Sequence, residues 1–247
     1  EYRDRLKASL GPGMEVMQRM VSKARKAPKR VVLPDGFSNR ILRAAVNVVE
    51  EGVAQPIIIG RPEQVEARAK ELGMDLKGVE IVHPAEEEDQ REKYAQALYR
   101  RRLRRGLTLA EARDQMSRSL HFAGMMVREG DADAMVAGIE SNYPEIIRPA
   151  LQVVGRADGV KHAAGLYMIA LPDKRLLFFA DTTVNIDPDS ETLAEVALLS
   201  AGFVKELGID PRVAMLSFSN FGSASHAFSD KVSGAVTRIK ELAPDLE

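Results

Sequence analysis

Two stretches of the 247-residue chain gather side chains suited to binding an anion. One follows the apolar run at 213–216 (VAML), which breaks into Ser217-Phe218-Ser219-Asn220-Phe221-Gly222-Ser223. Hydroxyls, an Asn amide and a backbone freed by glycine suit a phosphate or carboxylate. The other is the run 134–138, followed by Glu140-Ser141-Asn142-Tyr143-Pro144 and then Arg148. In open α/β sheets ligands bind at the carboxyl ends of strands. Two such junctions imply one shared cleft.

Other clusters admit more than one reading. Arg100-Arg101-Arg102 with Arg104-Arg105 is the densest charge on the chain. It reads as a solvated helix face, or as a grip on a polyanionic small ligand such as a nucleotide or coenzyme A, because arginine holds phosphate bidentately. A nucleic-acid patch would need interleaved aromatics, and only Tyr94 and Tyr99 are near. The serines at 217–223 lack the G-x-S-x-G elbow of a nucleophile, and His226 reads as a surface or capping residue rather than its base. Asp181, Asp187 and Asp189 do not have calcium-loop spacing, no His-x-x-x-His pair supports zinc, and helix capping accounts for Asp187. Neither a P-loop nor a G-x-G-x-x-G occurs. No catalytic residue and no metal ligand is assigned.

The elements that must position these groups alternate along the chain. Helical spacing runs over 1–26, with Leu6, Leu10, Met14, Met17 and Val21 on one face. Strands are expected at 30–33, 56–59, 79–82 and 134–136. Helices are expected at 40–51 (capped by Ser38 or Asn39), 63–72, 87–105 as a polar exposed helix, 109–116, 122–129 and 144–154. After a polar, Gly-rich hinge near 155–162 come a hairpin of 166–171 and 176–180, a helix at 190–207, a strand at 213–216 and a helix at 229–242. Alternation of this kind predicts an α/β protein with mostly parallel sheets in two lobes, 1–157 with its N-terminal helix and 158–247.

Composition bounds the partners. Lys and Arg number 35 and Asp and Glu 36, so no global field favours nucleic acid or an acidic membrane. A 45% hydrophobic and 29% charged content is ordinary for a globular protein. No apolar run approaches the roughly 20 residues of a membrane span. The absence of cysteine excludes disulfides and thiolate metal sites and fits a cytoplasmic location. With no initiator Met at Glu1, the chain reads as a piece of a longer protein whose second lobe is incomplete at its C-terminus.

Several segments in order, GMMVREGDADAMV at 124–136, Arg148-Pro149-Ala150-Leu151-Gln152, Phe179-Ala180-Asp181 and VAMLSFSNFGSAS at 213–225, closely resemble the phosphate acetyltransferase family. Gly106-Leu107-Thr108-Leu109 and Leu33-Pro34-Asp35-Gly36 extend the match over nearly the whole chain. Within the family, Asn142-Tyr143-Pro144-Glu145, Ala180-Asp181-Thr182-Thr183-Val184-Asn185 and Ser219-Asn220-Phe221-Gly222-Ser223 are most similar to the C-terminal domains of large bacterial NADP-dependent malic enzymes. The opening Glu1-Tyr2-Arg3-Asp4-Arg5-Leu6 resembles the junction after the malic enzyme catalytic domain.

The resemblance implies two α/β lobes and an interlobe cleft for coenzyme A and acetyl phosphate. It places coenzyme A phosphates on Arg102, Arg148 and, more weakly, Arg40, with Asn142, Tyr143, Ser217, Ser219, Asn220, Gly222 and Ser223 around the pantetheine or acetyl end. Departures are informative. Tyr143 and Pro144 replace hydroxyls of the transferases, Phe221 stands where they tend to carry lysine, and their Ser-Arg…Asp catalytic motif would lie beyond Glu247. The expectation is a domain without acetyltransferase activity that binds acetyl-CoA as an allosteric ligand, forms a homodimer, and shares a parent chain with a malic enzyme catalytic domain. NADP and a divalent metal would then belong to that catalytic domain alone. Two alternatives are a truncated active phosphate acetyltransferase and a purely structural dimerisation module.

Overall fold

In a buried parallel strand, successive side chains enter opposite faces of the sheet. The computed structural model, which describes residues 15–173, 175–220 and 222–247, follows this rule closely. Helix α1 is described over 15–26, and the rest of the helix expected at 1–26 lies outside the described residues. Strand β1 (Lys29–Leu33) sends Val32 into one cluster and Leu33 into the other. Strand β2 (Ala54–Ile59) divides Ile57 and Ile59 from Ile58 in the same way. With β3 (Glu80–Val82) and β4 (Ala134–Met135) they form a parallel sheet in the order β3-β2-β1-β4. Val32 pairs with Ile57 on one side and Met135 on the other.

Each face of this sheet is covered. Helices α2 (Asn39–Glu50) and α3 (Pro62–Glu71) bury Ile41, Leu42, Ala45 and Val65 against Leu33 and Ile58. Helices α4 (Glu88–Arg102), α5 (Leu109–Met116) and α6 (Ser119–Glu129) bury Tyr94, Leu98, Met116, Phe122 and Met125 against Val32, Ile57 and Ile59. Each such side chain contributes about 1.5–3 kcal/mol of hydrophobic stabilisation. Helix α7 (Tyr143–Val153) follows β4 and lies against α6, where a Cβ on Gly124 would approach Val153 Cγ1 to 3.2 Å.

The chain divides into two compact units, Val21–Gly155 and Arg156–Glu247, the second taking in the described residues up to Met20. The second unit contains the antiparallel hairpin of β5 (Leu166–Ala170) and β6 (Leu176–Ala180), then α8 (Ser190–Glu206) and α9 (Ala227–Leu242). Ala194, Ala197, Ala235 and Ile239 form the core between these two helices.

Several expectations need correction. The run 213–216 is not a strand: among the described residues no ladder forms beside it, and Val213 and Met215 instead pack against the α8–α9 core. The helix expected at 87–105 ends at Arg102 and continues as one turn of 3-10 helix, Leu103–Arg105, closed by Gly106 with φ 85°. Nor is α4 merely exposed, since Tyr94, Ala95 and Leu98 are buried. Asp189, not Asp187, caps α8, its carboxylate accepting from Thr192 N–H at 2.8 Å. Asp187 pairs with Lys231. Ser38 takes the N-cap position of α2 but makes no side-chain bond there.

Candidate functional site

The carboxyl ends of β1 and β4 open onto a cavity of about 620 Å³ in the first unit. Its walls come from five places: the exit of β1 with Asp35, the end of α5 with Gln115, the first turn of α6 with Arg118 and His121, the loop after β4 with Glu140, and α7 with Arg148. Local chemistry holds these walls. Asp35 accepts from the N–H groups of Gly138 and Ile139 at 3.1 and 3.2 Å, so its carboxylate ties the exit of β1 to the loop after β4. A Cβ on Gly36 would overlap the Ile59 carbonyl oxygen and lie 2.6 Å from Ile58 Cγ2, so only glycine lets the backbone turn here.

Helix α7 begins at Asn142, whose N–H donates to the Glu145 carboxylate at 3.2 Å as part of a capping box. Pro144 and Glu145 line the cavity, and so do Arg148 and Gln152, spaced at one helical turn. At the other end of the helix, Arg101, Arg102 and Arg128 donate to the carbonyls of Val153, Gln152 and Val154 respectively. Cations on a helix C-terminus satisfy carbonyls that have no intrahelical partner. The basic run around Arg100 thus serves, in part, to hold α7.

Of the residues singled out in the sequence, Arg148 lines the cavity. Asn142 and Tyr143 stand at the start of its helix, and Arg102 touches it through the Gln152 carbonyl. Arg40, on the exposed face of α2, does not line it. The serine-rich loop belongs to the second unit and is bonded to itself. Ser217 Oγ donates to the Ser219 carbonyl at 3.0 Å, Ser219 Oγ accepts from Ala224 N–H, and Ser223 N–H donates to the Asn220 carbonyl. Gly222 has φ 80°, as its expected freedom requires. Phe221 lies outside the described residues. His226 caps α9, accepting from Phe228 N–H at 3.1 Å.

Two residues with a place in the cavity wall carried no signal in the sequence, Arg118 and His121. Arg118 occupies the N-cap of α6 without a side-chain cap bond and pairs with Asp114 at 2.7 Å. His121 is only 9% exposed, and its Nδ1 has no hydrogen-bond partner among the described residues. Burial, with the charge of Arg118 beside it, holds its imidazole below the ordinary value, so it is neutral at pH 7. Among the described residues no group of His, Asp or Glu is placed to hold a metal ion, and no helix is long and apolar enough to cross a membrane.

A parallel sheet covered on both faces, with an arginine-bearing cavity at the carboxyl ends of its strands, defines an α/β protein. Residues 15–247 match the family of phosphate acetyl/butaryl transferases, and the chain belongs to it. It is 38% identical over 239 residues to a phosphate acetyltransferase of Thermoanaerobacterium thermosaccharolyticum, covering 94% of this chain and 72% of that protein. It is 42% identical over 233 residues to an NADP-dependent malic enzyme of Escherichia coli, covering 93% of this chain but 31% of that protein. The chain thus spans less than a third of that second relative. A phosphotransacetylase from Streptococcus pyogenes superimposes with a TM-score of 0.84 at 32% identity, over 94% of this chain and 70% of its own.

Proposed function

We propose that the chain is the acyl- and phosphate-binding part of a phosphate acetyltransferase, which moves an acetyl group between coenzyme A and phosphate. In that reaction a phosphate oxygen attacks the thioester carbonyl of acetyl-CoA. The new C–O bond makes acetyl phosphate, and the C–S bond breaks to release the coenzyme A thiolate. Negative charge develops on the carbonyl oxygen and the sulfur, so fixed cations and N–H donors around them stabilise the transition state.

The observation that supports this reading is Arg148 in a cavity at the carboxyl edge of the sheet, within a chain 38% identical to a phosphate acetyltransferase. Arg148 takes a coenzyme A phosphate, on a helix held by Arg102 through the Gln152 carbonyl. Asn142 and Tyr143, at the start of the helix that carries Arg148, take its pantetheine or acetyl end. The experiment is acetyl-CoA synthesis from acetyl phosphate and coenzyme A by the full-length parent protein, followed by thioester absorbance. Turnover that disappears in Arg148→Glu, with the fold retained by circular dichroism, supports the reading; turnover that is equal in that variant overturns the site.

A second reading rests on the 42% identity to an NADP-dependent malic enzyme. In it, acetyl-CoA is an allosteric ligand of a cytoplasmic, homodimeric domain that biases a malic enzyme catalytic domain in the same parent chain. A coupling of about 1–3 kcal/mol suffices for such control. Calorimetric binding of acetyl-CoA without turnover selects this reading. Dimerisation with neither binding nor turnover leaves a scaffold.

A further inference from the structure

The connection between the two units is fastened at both ends and loose in its middle. At the first-unit end, Arg101, Arg102 and Arg128 hold the carbonyls of Val153, Gln152 and Val154 where α7 stops. At the other end one carboxylate takes two consecutive donors. Glu195, on α8, accepts from the Lys161 N–H through Oε1 and from His162 Nδ1 through Oε2, each at 2.6 Å. Further on, the Asn185 amide donates to the Ala163 carbonyl at 3.0 Å, and the Asp181 N–H to that of Gly165. Between these ends lie residues 156–160. Among the described residues their one hydrogen bond stays within the stretch, from the Val160 N–H to the Ala157 carbonyl, and 156–159 are exposed. Gly155 and Gly159 have φ of 81° and 80°. A Cβ on Gly159 would meet nothing within 4 Å, so glycine serves the backbone there and not the packing. Stretches with few buried contacts and few backbone bonds open at low free-energy cost, and hinges are short stretches of this kind between packed bodies.

We infer that residues 155–160 are the hinge between the two units, and that Glu195, by clasping Lys161 and His162, fixes where the hinge ends. A carboxylate only accepts, so His162 Nδ1 carries the proton of this bond. Its Nε2 then faces the Thr192 hydroxyl at 3.5 Å, in the first turn of α8. Backbone and ring are thus held against the same helix. The Lys161 N–H first, and His162 after it, keep the Glu195 carboxyl below the ordinary carboxylate range, so it remains an ionised acceptor. Because α8 packs on α9 through Ala194 and Ala197, whatever Glu195 holds moves with the second unit. The clasp stands whether or not the chain transfers acetyl groups.

Trypsin tests this on two bonds of the connection itself. The bond after Arg156 lies in the loose stretch and the bond after Lys161 in the clasp, although both side chains are exposed. Proteolysis follows the population of the locally opened form, so in the unaltered chain cleavage after Arg156 is expected to outrun cleavage after Lys161 by about tenfold or more. Glu195→Ala should raise the rate after Lys161 by roughly tenfold to a hundredfold, the worth of a charged hydrogen bond, and leave the rate after Arg156 unchanged. His162→Ala removes one donor without touching α8 and carries the comparison should Glu195→Ala fail to fold. Since the chain has no cysteine, Glu63→Cys on α3 and Lys240→Cys on α9 accept one spin label in each unit. Opening the clasp lengthens the hinge, so the distribution of distances between the labels broadens in either variant. Equal tryptic rates at the two bonds in the unaltered chain, or a distribution of unchanged width in the variants, overturns the assignment.

Discussion

Arg102 Nη1 donates to the Gln152 carbonyl oxygen at 3.2 Å, joining the last turn of α4 to the last turn of the helix that carries Arg148. The bond spans 50 positions in sequence and acts beside those of Arg101 and Arg128. Arg102→Gln is expected to lower stability by about 0.5–1.5 kcal/mol, seen as a lower midpoint in urea unfolding. An unchanged midpoint would mean that the bond contributes nothing in solution.

Gly36 sits where β1 turns toward the cavity, with no room for a methyl group beside the Ile59 carbonyl. Forcing a side chain into packed surroundings typically costs about 1–3 kcal/mol. Gly36→Ala is therefore expected to destabilise the first unit by that amount, measured by thermal unfolding, and to weaken ligand binding at the adjoining cavity.

Tyr94 is fully buried in the helical layer, its ring 5.2 Å from that of Phe122 in an edge-to-face pair, and its hydroxyl donates to Asp131 Oδ2 at 2.6 Å. Burial and the neighbouring carboxylate push the phenol above its ordinary value, so it stays a donor throughout the working range. Tyr94→Phe keeps the ring packing and removes the bond to a charged partner. It should cost about 1.5–3 kcal/mol, and a loss below a few tenths would show that Asp131 finds water instead.

Glu92 accepts a paired hydrogen bond from Arg113 at 2.8 Å, and that interaction, aided by Gln96, lowers its carboxyl from 4.5 to about 2. A carboxyl depressed in the folded state stabilises fully above its unfolded value and loses that contribution as pH falls through the folded one. Stability from this pair is thus intact above pH 4.5 and lost between there and about 2. Both side chains are exposed, so salt weakens the effect. The slope of unfolding free energy against pH over this window should be shallower in Glu92→Gln, and equal slopes would exclude the pair as its source.

Much of the fold was legible because its signals are local. Short apolar runs such as IVL-type strands 29–33 and 54–59, and helices with apolar residues at three- and four-residue spacing, declare themselves within a dozen positions. The hairpin of β5 and β6 announced itself through the Pro172-Asp173 turn between two apolar runs. Arg148 stood out because it follows a polar break after a strand, and it does line the cavity. The first turn of α6 was missed because Arg118 holds the N-cap, where Ser, Thr, Asp or Asn would have marked a helix start.

By itself, then, the sequence determined most of the strands and helices, the α/β alternation and the family, since these follow from residue types at short range. Only the tertiary structure decided what each exposed or polar group is for. It sent Arg101, Arg102 and Arg128 to the carbonyls that end α7, and it buried one side of a helix as polar as α4. Likewise, among the described residues it gave the run 213–216 no ladder, because strands exist only where a neighbour pairs with them. The cavity itself joins residues from Asp35 to Arg148, and no local pattern encodes a meeting of groups so far apart along the chain.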